Sequence, residues 1–147
     1  MSNREYLNAY KASETSMNLV KSSHDIIYSL MFQLSNSMEK IALDINEENK
    51  NKTEYIQYDN KSKKNLALKK SKNMSKSLSI IYGLQTCLDF DKSLEISTNL
   101  FQLYEYCRQE IIKGFSQKLT DGIYKAINVM KEILEGWKQI PASERKI

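Results

Sequence analysis

The chain of 147 residues is long enough for one domain with a hydrophobic core, and its content of 41% apolar and 27% charged residues is ordinary for a folded protein. It has only 4 glycines and 1 proline, too few for the many turns of a β-sandwich or an α/β sheet, so a few long helices are predicted. With one histidine and 2 cysteines the chain lacks the ligands of common metal sites, and no long apolar run predicts membrane insertion.

The formal charge of +4 is unevenly distributed along the chain. Nine lysines and two acidic residues lie between Lys50 and Lys76, which gives this stretch +7 and leaves −3 for the rest. We interpret residues 46–72 as a polar, lysine-rich insert, and the basic stretch as a solvated loop that runs into a lysine-rich helix face. The alternative is a nucleic-acid-binding arm in which Tyr55 and Tyr58 stack on bases, but arginine, which such arms favour, is absent from the stretch.

Four apolar stripes with steps of three and four residues predict four amphipathic helices of roughly 20 residues each. Ser23 is the expected N-cap of the first helix. An aspartate at position 89 or 91 is expected to cap the third, Thr120 and Asp121 to begin the fourth, and Pro141 to prevent its continuation. The stripes run from Ile26 to Ile45, from Met74 to Leu88, from Leu94 to Phe115 and from Leu119 to Trp137.

Helices of similar length joined by three short connections pack most simply as an antiparallel up-down bundle. We therefore predict an all-α four-helix bundle that forms a single domain over residues 1–147. Residues 46–65 show no apolar period. For this reason the first and second long helices are expected to be joined by a long basic loop, and a short N-terminal helix or segment is expected to precede the bundle.

Catalytic motifs are missing from the sequence. It contains no phosphate-binding loop and no nucleophile elbow. His24 is followed by Asp25 and preceded by serines, but adjacent residues of a helix point in different directions and cannot form a catalytic relay. We predict no catalytic residue, no metal site, no cofactor and no enzymatic activity. Without an apparent export signal, the two cysteines, Cys87 and Cys107, are expected to be reduced cytoplasmic thiols.

The N-terminal segment, residues 1–20, carries a small apolar cluster formed by Tyr6, Leu7 and Tyr10. Polar residues separate this cluster from the first long helix. One interpretation is a permanent cap on the core. The other is a mobile lid over an apolar groove, which a partner peptide replaces when it binds.

Several blocks of sequence follow, in order, the motifs of one known protein family. The opening Tyr6–Tyr10 is similar to a tyrosine-bearing N-terminus, and the block Thr98–Tyr106 is similar to an Asn-Leu-x-x-Leu-Tyr-x-Tyr motif. The other blocks are Ser22–Ile27, Lys76–Leu84 followed by Leu88-Asp89, and Gly136–Ile140. Together they resemble the FliS family of flagellar export chaperones. Two departures are Ser23, where that family has proline, and Glu110, where arginine is common.

The resemblance implies a cytosolic chaperone that binds the disordered C-terminal segment of flagellin, blocks filament polymerisation and delivers its client to the flagellar type III export gate. It implies contact with the cytoplasmic domain of that gate and no small-molecule substrate. The alternatives are an adaptor or secretion chaperone for a different client, or a bundle that binds nucleic acid through the insert. Leu84 and Leu103 are equally compatible with a core position. The residues proposed for the lid or gate contact and for the client groove are Tyr6, Leu7, Tyr10, Leu84, Leu88, Leu103, Tyr104 and Tyr106.

Overall fold

The computed structural model describes residues 3–5, 23–53 and 60–141 of the chain. Residues 3–5 form a single helical turn, and no strand occurs within the described ranges. The predicted all-α four-helix bundle is confirmed. Its long helices are α1 (Ser23–Thr53), α2 (Asn60–Thr86), α3 (Leu94–Gln117) and α4 (Asp121–Lys138).

Consecutive helices run in opposite directions around the bundle. α1 packs between α2 and α4, and α3 closes the ring by packing against the same two helices. His24 at the start of α1 meets Trp137 at the end of α4, whereas Asn49 near the end of α1 donates a hydrogen bond to the carbonyl of Lys118, just before α4. The bundle is therefore antiparallel and up-down, as its short connections require.

One apolar cluster fills the space between the four helices. Each stripe contributes side chains at the predicted spacing, and α1, which contacts all three other helices, supplies the longest row. Burial of these side chains is the main favourable contribution to folding. The cluster comprises Ile27, Met31, Leu34, Met38, Ile41, Ala42, Ile45, Ile80, Ile81, Leu84, Leu100, Tyr104, Cys107, Ile111, Ile123, Ala126, Ile127, Met130, Leu134 and Trp137.

A buried polar contact lies between α1 and α2. Ser77 donates to the hydroxyl of Ser37 at 2.7 Å, and Ser37 donates to the carbonyl of Asn73 at 3.0 Å. The amide of Asn73 in turn donates to the buried carboxylate of Asp44 at 3.1 Å. A displacement of one helix along the other would leave these buried groups unpaired, so the contact fixes the register of the α1–α2 pair.

Most of the insert is helical, so the prediction of a long basic loop between the first two helices is wrong. Residues 46–53 continue α1 and residues 60–72 belong to α2, while 54–59 lie outside the described residues. The α3–α4 turn contacts α1 at Glu48 and Asn49, so beyond this level the end of the α1–α2 pair extends past the other two helices. Because this end of the pair has few neighbours, it buries little apolar surface and no apolar stripe is needed there. Lysine and glutamate still favour a helix.

The turns before and after α3 are short, and hydrogen bonds within each turn pair some of its backbone groups. The carboxylate of Asp89 accepts hydrogen bonds from the backbone N–H groups of Asp91 and Lys92, each at 3.1 Å. It therefore closes the turn before α3, while Ser93 occupies the N-cap position where the sequence predicted an aspartate. At the other end, Lys118 adopts the left-handed conformation (φ 56°) that commonly ends helices, and Thr120 is the N-cap of α4 as predicted.

Candidate functional site

The predicted site residues fall into three groups in the structure. Tyr6, Leu7 and Tyr10 lie outside the described residues, so their role as a lid stays a prediction. Leu84 and Tyr104 are each 1% exposed and belong to the core, which means that they support the molecular surface from below. Burial raises the pKa of the Tyr104 hydroxyl far above its ordinary value, consistent with an enclosed position. The third group, Leu88, Leu103 and Tyr106, is half-buried and packs against the core.

Leu103 and Tyr106 face the groove between α3 and α4. Tyr106 lines a cavity together with Gly122 and Lys125 of α4, and Leu103 lies one turn before it on the same side of α3. On α4, Val129 and Ile133 continue the row that begins at Gly122. We call Leu103, Tyr106, Val129 and Ile133 the α3–α4 strip; Val129 is 37% exposed and the other three are half-buried.

The α3–α4 strip opens into a cavity of about 330 Å³ beside the turn that joins the two helices. Tyr106 and Leu119 provide apolar walls, and four charged side chains surround them. Glu110 approaches Gly122 so closely that a β-carbon at position 122 would overlap its carboxylate. Its lining residues are Tyr106, Glu110, Lys113, Gly114, Leu119, Asp121, Gly122 and Lys125.

A second apolar surface lies at the opposite end of α3, around the α2–α3 turn. Phe90 and Phe101 meet edge to face with their ring centroids 6.4 Å apart, and both are about 40% exposed. Leu94 lies two turns before Phe101 on the same side of the helix and is 67% exposed. We call Leu88, Phe90, Leu94 and Phe101 the turn patch. Of these, the sequence singled out only Leu88 as a site residue.

Apolar residues at unusual positions mark the exposed members of the turn patch in the sequence, although helix periodicity alone does not identify them as surface residues. Phe101 widens the apolar stripe of α3 beyond what the core accepts, and Phe90 interrupts a polar turn. Apolar side chains in such positions stay partly in water unless a partner covers them. Core assignment from the stripe therefore overlooked them.

Three polar side chains form a hydrogen-bonded group between α2 and α3, next to the turn patch. Arg108 donates from Nη2 to Glu105 at 2.7 Å and from Nε at 3.1 Å, and Gln85 of α2 donates to the same carboxylate at 2.8 Å. These hydrogen bonds hold the pKa of the Glu105 carboxyl below its ordinary value. The bond from Gln85 joins α2 to α3, whereas the Arg108–Glu105 pair lies within α3.

Clusters of metal-binding side chains are absent from the described part of the chain. Over residues 3–5, 23–53 and 60–141, no group of three or more histidine, cysteine, aspartate or glutamate side chains is placed to hold a metal ion. None of the described helices is long and apolar enough to cross a lipid bilayer. His24 is buried and stacks on Trp137.

Comparison with known proteins identifies the family of the chain. Residues 6–144 match the family model described as "Flagellar protein FliS". This chain belongs to the FliS family. The match includes all four helices of the bundle and extends across the residues between α1 and α2, so the lysine-rich insert lies within the FliS family match.

Two curated FliS proteins, each named a flagellar secretion chaperone, are similar to part of the chain. The protein of Vibrio cholerae is 31% identical over 72 residues, which cover 49% of this chain. The protein of Salmonella typhimurium is 35% identical over 72 residues, or 48% of this chain. The chain spans about half the length of these curated relatives, 53% in each case.

Proposed function

We propose that this FliS protein is a cytoplasmic export chaperone whose client is the disordered C-terminal segment of flagellin. The observation that supports the proposal is the apolar surface on both edges of α3, in a chain that belongs to the FliS family. The α3–α4 strip and the turn patch lie at successive levels of the same helix, which is about 36 Å long. A segment bound along α3 would cover both.

The proposed mechanism consists of binding alone and involves no chemical step. A disordered segment that orders on a preformed apolar surface loses conformational entropy, and burial of apolar area offsets that loss. The bound segment of flagellin would be unable to take part in filament assembly. Tyr106 suits such a surface because its ring buries apolar area while its hydroxyl keeps contact with water.

The N-terminal segment is the proposed competitor of the client. Tyr10 precedes the start of α1 by 13 residues, which reach at most about 45 Å when extended. That length allows Tyr6, Leu7 and Tyr10 to reach either apolar surface from Ser23. We propose that the segment covers part of the surface of the free chaperone and is displaced by flagellin, after which Leu7 and Tyr10 are available to the cytoplasmic domain of the export gate.

The decisive experiment compares the binding of full-length chaperone to intact flagellin and to flagellin that lacks its C-terminal segment. Calorimetry is expected to show binding to the first and none to the second. Equal binding to both, or to neither, would contradict the proposal. Capture of a different client in a fixed ratio would favour an adaptor of another kind.

Matched variants locate the binding surface. Val129→Asp in the α3–α4 strip and Phe101→Ser in the turn patch are each expected to weaken flagellin binding at least about tenfold, as for a central interface residue. Leu43→Asp is the control, since Leu43 is 61% exposed on α1 and belongs to neither surface. Circular dichroism first confirms that each variant is folded. If the control weakens binding as much as the other two, α3 is not the client surface.

Delivery to the gate requires a separate test. A Leu7→Ala, Tyr10→Ala double variant is expected to retain flagellin but to lose capture of the cytoplasmic domain of the export gate. Retention of both interactions would remove these two residues from the proposed gate contact.

A further inference from the structure

The helix α2 carries charge of one sign only. Its 27 residues include seven lysines and no aspartate or glutamate, which gives +7, while the rest of the chain sums to −3. Two of these lysines pair with carboxylates of α1: the exposed Lys69 with Asp44, and the buried Lys70 with Glu48. The remaining lysines are not required by the α1–α2 contact.

Four of the remaining lysines share the outer face of α2. At about 100° per residue, Lys61, Lys64, Lys72 and Lys76 fall within an arc of about 120°. All four are exposed, and none forms an ion pair with another residue of the described ranges. They extend over about 22 Å of the helix. Together with Leu68 they form what we call the basic face.

Leu68 lies at the centre of the basic face. It is 60% exposed, with Lys64 one turn before it and Lys72 one turn after it. The other leucine of this part of the helix, Leu66, is half-buried on a different side. Leu68 is therefore the apolar centre of an otherwise cationic face.

We propose that the basic face binds the surface of an anionic phospholipid bilayer, reversibly and without insertion. Charge complementarity supports this occupant: clusters of four or more lysines on a helix attract acidic headgroups. The apolar stems of the lysines let their ammonium groups remain at the headgroups while Leu68 contacts the acyl chains. This activity is independent of flagellin binding, because the basic face and the surfaces of α3 share no residue.

The composition of the basic face disfavours other anionic partners. Protein interfaces are depleted in lysine and enriched in arginine and aromatic residues, neither of which occurs among the five residues of this face. Proteins that bind single-stranded nucleic acids use aromatic side chains to stack on bases, and arginine is preferred over lysine for nucleic-acid recognition. A lipid surface requires neither.

Co-sedimentation of the full-length protein with vesicles tests the proposal. Vesicles of phosphatidylcholine with about one-third phosphatidylglycerol are expected to bind the protein, and vesicles of phosphatidylcholine alone are not. Binding is expected to fall sharply as salt increases, because exposed charges are screened. Equal binding to both kinds of vesicle, or to neither, would overturn the proposal.

Charge-matched variants assign the binding to the basic face. The triple variant Lys61→Gln, Lys64→Gln, Lys72→Gln is expected to lose about a hundredfold in vesicle affinity, at about fivefold per lysine. The control variant Lys40→Gln, Lys92→Gln, Lys138→Gln has the same net charge and changes exposed lysines outside the face. Equal losses in the two variants would contradict a localised site.

Two further measurements test the contact of Leu68 with the acyl chains and distinguish a lipid surface from a nucleic acid as the partner. Leu68→Ser is expected to weaken vesicle binding without changing its salt dependence, whereas no effect of this change would exclude contact with the acyl chains. A duplex or single-stranded nucleic acid that binds more tightly than the vesicles, and competes with them, would replace the lipid surface as the partner. Flagellin binding is expected to be unchanged in the triple variant, so failure of either proposal is recognised separately.

Discussion

His24 and Trp137 are joined by two reciprocal hydrogen bonds between residues 113 positions apart. The indole N–H of Trp137 donates to the carbonyl of His24 at 3.0 Å, and Nε2 of His24 lies 2.7 Å from the carbonyl of Trp137. Because a carbonyl only accepts, Nε2 carries the hydrogen. The two rings stack with centroids 5.1 Å apart and planes within 8°. The pair fastens the first turn of α1 to the last turn of α4.

Removal of either partner is expected to destabilise the bundle. Trp137→Phe keeps an aromatic ring but leaves the buried carbonyl of His24 without its donor, at a cost of about 1–3 kcal/mol in the free energy of unfolding. His24→Ala removes the second hydrogen bond and the stacking. Urea unfolding of both single variants and the double variant measures their coupling, which is expected to exceed about 0.5 kcal/mol. Additive effects would show that the two residues act independently. Tyr82→Phe, at a position 70% exposed, serves as the control and is expected to have little effect.

The glycines of the helices are expected to respond in opposite directions to substitution by alanine. A β-carbon at Gly114 would lie 2.5 Å from Ile123 Cδ1 and 2.6 Å from the backbone oxygen of Leu119. Gly114→Ala must therefore displace the α3–α4 turn, and a loss of about 1–3 kcal/mol is expected, as for other overpacked sites.

Gly83 and Gly136 are the matched controls, since a β-carbon at either position meets no atom within 4 Å. Alanine there removes the conformational cost of glycine in a helix, so a gain of about 0.5–1 kcal/mol is expected. Thermal unfolding of the three variants tests both directions. A stabilised Gly114→Ala variant would show that the turn adapts without cost.

Glu48 is expected to give the bundle an acid-sensitive ion pair. Its carboxylate accepts from Lys70 at 2.7 Å and from Lys118 at 2.6 Å. Burial alone would raise the pKa of Glu48, but the hydrogen bonds from Lys118 and Lys70 outweigh this effect and lower the pKa below its ordinary 4.5. A lowered pKa in the folded state means that the stabilisation is present above pH 4.5 and is lost as the pH falls through the folded-state pKa.

Glu48→Gln is therefore expected to cost about 1.5–3 kcal/mol at neutral pH, because the buried ammonium of Lys70 loses its carboxylate. The difference from the original protein should shrink as the pH falls below 4.5. Glu39→Gln is the control, since its partner Lys131 is 57% exposed and such pairs contribute less than about 1 kcal/mol. Urea unfolding at several pH values provides the measurement. A difference that is independent of pH would contradict the assignment.

The two cysteines are expected to differ in reactivity. Cys87 is exposed, whereas Cys107 lies in the core and burial raises the pKa of its thiol to about 12. Because the thiolate is the reactive species, iodoacetamide is expected to modify Cys87 and to spare Cys107 in the native protein at neutral pH. Mass spectrometry after digestion reads out both sites, and labelling in urea confirms that Cys107 reacts when unfolded. Equal native labelling would mean that α3 opens readily.

Periodicity was sufficient for the parts of the fold that are governed by burial. The stripe from Ile26 to Ile45 predicted the buried face of α1 except at Ile26, which is 43% exposed, and Thr120 with Asp121 predicted the start of α4. Periodicity failed where burial no longer selects residues: beyond Ile45, α1 continues for two further turns with polar side chains. For the candidate site, the family resemblance named Leu103 and Tyr106 together with Tyr104, but it gave no means of separating the first two from the enclosed Tyr104.

The sequence by itself determined the helical class, the bundle, the main part of its core and the family, because the apolar period of a helix and the order of motif blocks are both local properties of the chain. The tertiary structure decided which apolar residues remain at the surface. Phe90 and Phe101 come together across a turn, and Glu110 of α3 approaches Gly122 of α4. The lysines of α2 divide into those paired with α1 and those facing outward. Each of these relations depends on distances between helices, which a one-dimensional pattern does not contain.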